Sequence, residues 1–487
     1  MTLPASGVLA ASAVNTELQL SSTAPFQMSD VLVRYLAKKQ TAGSPISMAD
    51  LRGRSFTASL SDINPPVGAD NISTVQSPVC VSANGNVMAL CASSTGSNAI
   101  VGGVNVRTGG GAVLIYERNS SGVFQLVSTF VYPSFGVGNE ANCISVNDDG
   151  TRVVVTNAIN ANGFTHPSSG PTNWFWDGAV ETFYKSAGSW SRGTPVYTDY
   201  VYWSGYYGVS TTRTRHVSIS ADGTTMVVCG DERGDPAGSG EVGALYVYTW
   251  AGSGTWSRVQ KIKPSGTTAN PYYNVQLSAD GNTMLVAAGG SSTAAWVYKR
   301  SAGTYTFFAS YEPSLTGVIA SNPDLTGSTG VRGEFGGYVL SRDGLHIMAR
   351  VYALKSGVTL RRHVWCDIGS SSITAQQVLR VIPSSFGTAP SSTEYSGWHC
   401  LSGDGTRMCL AFRTINSSYY TTGTYMVFLF RHPTTGVWTY QGSVGVTYSS
   451  GSSSNMYYYI PSLNSDGTIG ACSTVQFSPN LVAQINS

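Results

Sequence analysis

The chain has 487 residues, 42% of them hydrophobic and only 11% charged, with a formal net charge of +2 at pH 7. That balance excludes the basic footprint of a nucleic-acid or anionic-lipid binder. No apolar run reaches the ~18 residues of a membrane-spanning helix, and the first residues lack the basic and apolar regions of a secretory signal.

Residues 1–53 differ in texture from the rest. Three short helical phrases follow one another, each with a serine near its start: Ser12 before AVNTEL, Ser29 before DVLVRYLA and Ser47 before MADLRG. A serine side chain satisfies the orphan N–H groups of a helix start, and acids in the first turn favour the dipole. Each phrase is too short to stand alone in water, so the segment is expected to dock on something. The phrases LPASG (3–7), VNTEL (14–18), MSDVLVRYLA (28–37) and ISMADLRG (46–53) occur in this order. In these residues the segment resembles the N-terminal region of tailed-bacteriophage virion proteins, such as tail-fibre, neck and appendage proteins. It departs from their pattern at TAPFQMSD. The resemblance implies an attachment module, with Leu18, Val33, Leu36, Met48 and Leu51 as its apolar contacts to other virion proteins.

From residue 80 onward one phrase returns at intervals: an apolar run, a Ser, Asn or Asp, a turn ending in Gly, and a second apolar run. The copies are VCVSANGNVMALC, CISVNDDGTRVVV, VSISADGTTMVVC, VQLSADGNTMLVA, YVLSRDGLHIMA, HCLSGDGTRMCLA and PSLNSDGTIGAC. Their glycines are Gly85, Gly150, Gly223, Gly281, Gly344, Gly405 and Gly467, spaced 65, 73, 58, 63, 61 and 62 residues apart. A near-fixed period of this kind means stacked units that cannot bury their apolar faces alone.

The unit around Gly223 reads as four strands. Residues 213–220 alternate and end at a turn formed by Asp222-Gly223, and 224–229 (TTMVVC) is a continuous apolar run. ALYVYTW then alternates with period two, and TWSRVQKIK (255–263) is more polar. Falling apolarity from an inner to an outer edge is the profile of a propeller blade. An aromatic commonly opens the fourth strand, where a large ring is placed to cover the gap between blades. After DGTIGACSTV the chain has only NLVAQINS, enough for a third strand, while RSFTASLSDI (54–63) has strand composition and no partner. The expectation is an all-β, seven-bladed propeller over residues 54–487, with 54–63 as the closing strand of the last blade, behind a short, partly helical extension (1–53). The SxDG turns resemble those of WD40-like and TolB-like propellers, and GAVLIYER and GALYVYTW resemble the repeats of integrin-like propellers. The longer period here puts the excess into loops at 157–177, 198–212, 312–334 and 383–396.

Chemistry is sparse. The eight cysteines form no CxxC pair, and seven lie on the apolar runs, as expected for reduced core thiols; a Cys80–Cys91 bridge across one hairpin stays open. The six histidines form no HxH or HxxxH pair. Asp149, Asp222, Asp280, Asp343, Asp404 and Asp466 are single turn carboxylates without a calcium ladder. No nucleophile elbow, P-loop or Asp-box occurs, and the acids Glu140, Asp177, Glu334 and Glu394 are read as loop residues. No catalytic residue, metal or cofactor is therefore expected, and the RGD tripeptide at 233–235 is ordinary turn chemistry.

The strongest positive signal is aromatic: Trp174, Phe175 and Trp176; the run from Tyr197 to Tyr207 with Tyr202, Trp203, Tyr206 and Tyr207; and Tyr457 to Tyr459. Such rings suit either a protein or sugar surface or the space between blades. Together with the resemblance, this gives the expectation of a non-enzymatic phage virion protein of tail, neck or fibre, homo-oligomeric on the particle and assembled in the host cytoplasm. Its alternatives are a host receptor- or glycan-binding appendage, and a polysaccharide depolymerase on the same scaffold.

Overall fold

A computed structural model describes residues 79–94, 111–132, 143–160, 176–198, 213–233, 241–263, 272–288, 294–379, 399–415, 421–452 and 461–472, less 121, 315, 324, 357, 433–435 and 468. It also describes the strand pieces 59–60, 72–73, 99–101, 104–106 and 481–484. The segment 1–53, with Leu18, Val33, Leu36, Met48 and Leu51, lies outside the described residues.

The fold is an all-β propeller of four-stranded antiparallel sheets. The unit around Gly223 supplies the template: Arg213–Ile219, Thr225–Arg233, Glu241–Gly252 and Thr255–Ile262 pair in chain order. We call this sheet III. The same order builds sheet IV from Tyr272–Leu277, Thr283–Ala288, Ala295–Ser301 and Thr304–Tyr311. Sheet V is built from Thr329–Leu340, His346–Lys355, Val358–Ile368 and Ile373–Leu379. Sheet VI uses His399–Leu401, Arg407–Ile415, Thr421–Arg431 and Trp438–Ser452. Sheet I is built on Val79–Val81, Val87–Ser94, Gly111–Arg118 and Phe124–Tyr132, with Ile72–Ser73 added beside the second strand. Sheet II is built on Ile144–Val146, Arg152–Asn160, Trp176–Ser186 and Ser189–Arg192, with Val196–Tyr197 also on the third strand.

Among the described residues, complete blades cut from one continuous stretch of chain thus number six, one fewer than the copies of the turn phrase. The physical reason is that the sheet of the last copy draws one of its strands from elsewhere in the chain. Ser462–Leu463, Ile469–Cys472 and Leu481–Gln484 make three strands, and Ser59–Leu60 adds to the last of them, with Ser59 opposite Gln484 and Leu60 opposite Ala483. This sheet is composite. Two further details depart from the sequence reading. The supposed loop 312–334 contains a five-residue helix, Gly317–Ser321, and the first residues of sheet V's inner strand. A small hairpin, Ala99–Val101 with Val104–Val106, stands apart from the larger sheets.

The core lies in the seams between sheets. The second strands are buried on both faces: Met226, Val227, Val228 and Cys229 are all fully buried. Their apolar runs need no alternation for that reason. One cluster joins Val87, Cys91 and Ile115 of sheet I to Ile144, Val153 and Phe183 of sheet II. Another joins Val227 and Val247 of sheet III to Leu277 and Val286 of sheet IV. The aromatic that opens the fourth strand sits in the seam with the preceding sheet. Trp190 packs on the I/II cluster, Trp256 on II/III, Tyr305 on III/IV and Trp438 on V/VI. Each such residue excludes water from a joint that no backbone ladder closes, and full burial of a large apolar side chain contributes roughly 1.5–3 kcal/mol.

The outermost strands of sheets I, III, IV, V and VI share a device the sequence did not reveal. The pairing of third and fourth strands slips at Ile115/Tyr116, Val247/Tyr248, Val297/Tyr298, Trp365/Cys366 and Phe428/Leu429. In sheets I and III the unpaired residues are Val127 and Val259, which are exposed. A bulge twists an open edge and blunts it as a template for another chain.

The turn glycines test the seam argument. Gly150 has φ +72°, and a Cβ there would overlap the Val87 side chain of sheet I. Gly188 has φ +83° in the hairpin Ser186–Ser189, with open space around it. Gly188→Ala is expected to cost about 1 kcal/mol, for backbone strain alone. Gly150→Ala is expected to cost about 1–3 kcal/mol more, because the seam is overpacked as well. Paired thermal denaturation of the two variants measures the difference, and equal losses would contradict the packing role.

Candidate functional site

The site with the most structure behind it is the ring of turns between first and second strands. In each, the residue that opens the turn accepts a hydrogen bond from the N–H five residues on. Ser82 Oγ does so from Val87 N (2.9 Å), Asn147 Oδ1 from Arg152 N (2.8 Å) and Ser220 Oγ from Thr225 N (3.0 Å). Ser278, Ser341, Ser402 and Asn464 repeat this with Thr283, His346, Arg407 and Ile469. The carboxylate two residues further locks the turn. Asp222 Oδ1 accepts from Ser220 Oγ at 2.6 Å and Thr224 N at 2.9 Å, and its Oδ2 accepts from Thr224 Oγ1 at 2.7 Å. Burial acts to raise the Asp222 pKa, but the hydrogen bonds of Ser220 and Thr224, with the charge of Arg152, outweigh it and hold the carboxyl below its ordinary value. Asp280 is lowered in the same way: burial is again outweighed, here by Ser278, Asn282 and the charge of Lys299. These acids are turn locks, as the sequence suggested.

The turns then bond to one another. Asn84 N donates to Asp148 O (3.1 Å), Asp148 N to Ala221 O (3.0 Å), Ala221 N to Ala279 O (2.8 Å) and Ala279 N to Arg342 O (2.6 Å). Asp343 N donates to Gly403 O (3.1 Å), Gly403 N to Ser465 O (2.6 Å), and Ser465 N back to Ala83 O (2.8 Å). The circuit is closed, and the composite sheet is one of its members.

Below the turns, the inner strands are stitched by side chains. Ser462 Oγ accepts from Val81 N (3.0 Å), Ser145 Oγ from Ile219 N (3.3 Å), Ser218 Oγ from Leu277 N (3.0 Å) and Gln276 Oε1 from Leu340 N (2.8 Å). A second row donates to the next sheet's carbonyls: Cys143 to Val217 O (3.2 Å), His216 Nδ1 to Val275 O (3.0 Å) and Asn274 Nδ2 to Tyr338 O (3.4 Å). Inner-edge backbone groups that no fifth strand can satisfy are satisfied this way. These polar side chains are therefore committed to structure.

One ion pair stands out. The residue after the opening Ser or Asn is small in the turns at Ala83, Ala221, Ala279, Gly403 and Ser465, but is Asp148 in sheet II and Arg342 in sheet V. These two form a salt bridge between turns that are not neighbours in the circuit, so the bridge is a chord across it. Their side chains keep 25% and 33% exposure, for Arg342 and Asp148 respectively. Burial pulls the Arg342 guanidinium below its ordinary value. Opposite charges at equivalent positions of two repeats were the signal that sequence reasoning missed.

Of the aromatic candidates at 174–176 and 202–207, only Trp176 falls among the described residues. Trp174, Tyr202, Trp203, Tyr206 and Tyr207 lie outside the described residues, and Trp176 is placed only as backbone, opposite Asn160 in sheet II. Two of the acids read as loop residues are on strands. Asp177 pairs opposite Ile159, and Glu334, on the inner strand of sheet V, forms ion pairs with Arg350 (2.8 Å) and Arg361 (2.9 Å). Glu140 and Glu394 are outside the described residues. Arg233 ends the second strand of sheet III. Among the described residues no group of three His, Cys, Asp or Glu is placed to hold a metal ion. The cysteines Cys80, Cys91, Cys143, Cys229, Cys366, Cys400 and Cys409 are free thiols, which resolves the Cys80–Cys91 alternative. Burial raises the pKa of Cys91 and pushes that of Cys143 up to about 12, so these thiols are inert core residues.

No family model matches the chain, and no curated protein matches it. Solved structures similar to it include a periplasmic gluconolactonase of Pseudomonas aeruginosa, 15% identical with a TM-score of 0.44, over 76% of this chain and 85% of that one. A functionally unknown protein of Desulfotomaculum acetoxidans is 12% identical with a TM-score of 0.44, over 77% of this chain and 92% of that one. Likenesses at this level carry no argument about activity or ligand.

The chord is open to test by a double-mutant cycle. Asp148→Ala leaves a partly buried guanidinium without its counter-charge and is expected to cost about 1–3 kcal/mol. Asp148→Ala with Arg342→Met is expected to cost less than the sum of the singles, with a coupling of about 0.5–3 kcal/mol in urea denaturation. Strict additivity would remove the pair from the account.

Proposed function

We propose that the chain is a non-enzymatic structural protein of a tailed-bacteriophage virion. Residues 1–53 attach it to other virion proteins, and the propeller is displayed as a rigid platform. The observation that carries this reading is the ordered set LPASG, VNTEL, MSDVLVRYLA and ISMADLRG at the front of the chain. The closed circuit of turns supports the platform half of the proposal, since a ring bonded at every joint resists distortion under load. The commitment of turn carboxylates and inner-strand hydroxyls to backbone groups supports a scaffold over a reaction centre.

The same reading takes the composite sheet as a seventh blade and residues 54–63 as its closing strand, so that the attachment segment leaves the ring at the closure. Ser59–Leu60 beside Leu481–Gln484 supports this, as does the contact of Ser462 and Ser465 with sheet I. Closure there would let force on the anchor reach both ends of the repeat array at once.

Deletion of residues 1–53 separates anchor from platform. The truncated protein is expected to stay folded, with a melting transition close to that of the full chain, and to be missing from purified particles by immunoblot. Truncated protein that enters particles at the full-length level would overturn the attachment role.

A further inference from the structure

The seam between sheets V and VI differs in kind from the others described. His363, on the third strand of sheet V, and His399, on the inner strand of sheet VI, are 1% and 2% exposed. Their rings meet edge to face with centroids 4.8 Å apart. His399 Nε2 lies 3.0 Å from Met348 O, an acceptor, so that nitrogen carries the proton and donates. This leaves His399 Nδ1 as a bare lone pair, and among the described residues it has no hydrogen-bond partner; nor has His363 Nε2.

Two buried arginines lie beside the pair, one of them held by a carboxylate. Arg350 pairs opposite His363 across the sheet V ladder and is 4% exposed, and Arg362, next in sequence, is 3% exposed. Glu334 is the carboxylate that faces this group, 2.8 Å from Arg350 Nε and 2.9 Å from Arg361 Nε. From sheet VI the apolar residues Leu401, Met408 and Leu410 pack against Met348 and Trp365 of sheet V. The I/II seam, by comparison, is filled by Val87, Ala89, Cys91, Ile144, Val153 and Phe183.

We propose that the V/VI seam is an acid-sensitive joint: protonation of the His363–His399 pair adds cations beside buried arginines and opens the ring between these two sheets. A second proton donor at His399 Nδ1 would have no acceptor to meet among the described residues, so charging requires the sheets to part and admit water. Burial first, then His399, Arg350 and Arg362, push His363 well below its ordinary value, and burial outweighs the Met348 carbonyl to bring His399 to about 3. The sign follows. Both folded-state values lie under the unfolded value of about 6.5, so the opened seam binds more protons than the closed one. Closure is therefore undiminished above about pH 6.5 and weakens progressively as the pH falls below it. His216, in the III/IV seam, is lowered to about 4 mainly by burial, but it is single and its Nδ1 is satisfied by Val275 O; the I/II seam, whose core cluster holds no histidine, is the internal comparison.

Hydrogen–deuterium exchange of the full chain at about pH 7.5 and about pH 5, corrected for the intrinsic rate, tests the joint. Peptides from 346–368 and 399–415 are expected to gain about tenfold or more in exchange at the lower pH, relative to 87–94 and 152–160 at the I/II seam. An equal change at both seams, or none at either, would overturn the proposal. The double variant His363→Gln, His399→Gln removes the titration and keeps side-chain donors, and it is expected to lose the acid response. A folded double variant that responds like the parent would also overturn it, and the parent's own exchange pattern decides the matter if the variant does not fold.

Discussion

Backbone hydrogen bonds passed from turn to turn are the constraint on which the molecule depends. From Asn84 through Asp148, Ala221, Ala279, Arg342–Asp343 and Gly403 to Ser465 and back to Ala83, each turn gives a bond to the next. Each bond taken singly contributes only about 0.5–1.5 kcal/mol. Their arrangement matters more than their sum. A linear array of repeats has two ends that fray, and a closed one has none. The last turn phrase, whose sheet is composite, therefore still holds a place in the circuit.

Once the turns are fixed in a circle, the rest of the design follows radially. Inner strands have an edge facing no other strand, and side chains such as Ser218, Gln276 and His216 satisfy it from the neighbouring sheet. Second strands are enclosed and become continuous apolar runs. Third and fourth strands diverge as the wedge widens, and a ring such as Trp190 or Tyr305 fills the space. The outermost strand, at an edge unpaired among the described residues, is bulged in sheets I, III, IV, V and VI. One geometric demand, a wedge narrow at the axis and broad at the rim, accounts for the gradient from small polar to large aromatic residues within each repeat.

This explains what was legible in the sequence. The turn phrase was visible because Ser220, Asp222 and Gly223 bond within one turn, and local bonds leave a local pattern. The strand order of sheet III could be read for the same reason: TTMVVC and ALYVYTW differ in periodicity because they differ in burial. What could not be read depends on partners in other repeats. His399 looked like an isolated histidine because its neighbour, His363, lies on another blade. Asp148 and Arg342 went unnoticed because the chord between them spans two intervening sheets. Glu334 was read as a loop acid because Gly-rich sequence around it hid the inner strand of sheet V. The aromatic candidates at Trp174 and Tyr202 to Tyr207 belong to the long insertions, where the repeat imposes no pattern from which a structure could be argued.

The closed ring is the claim on which platform, anchor and acid-sensitive joint all rest. Averaged electron-microscope projections of the purified chain, viewed down the propeller axis, count its sectors directly. The account predicts seven wedge-shaped sectors in an unbroken ring, with the composite sheet as dense as its neighbours. Six sectors with a gap, or eight, would contradict it.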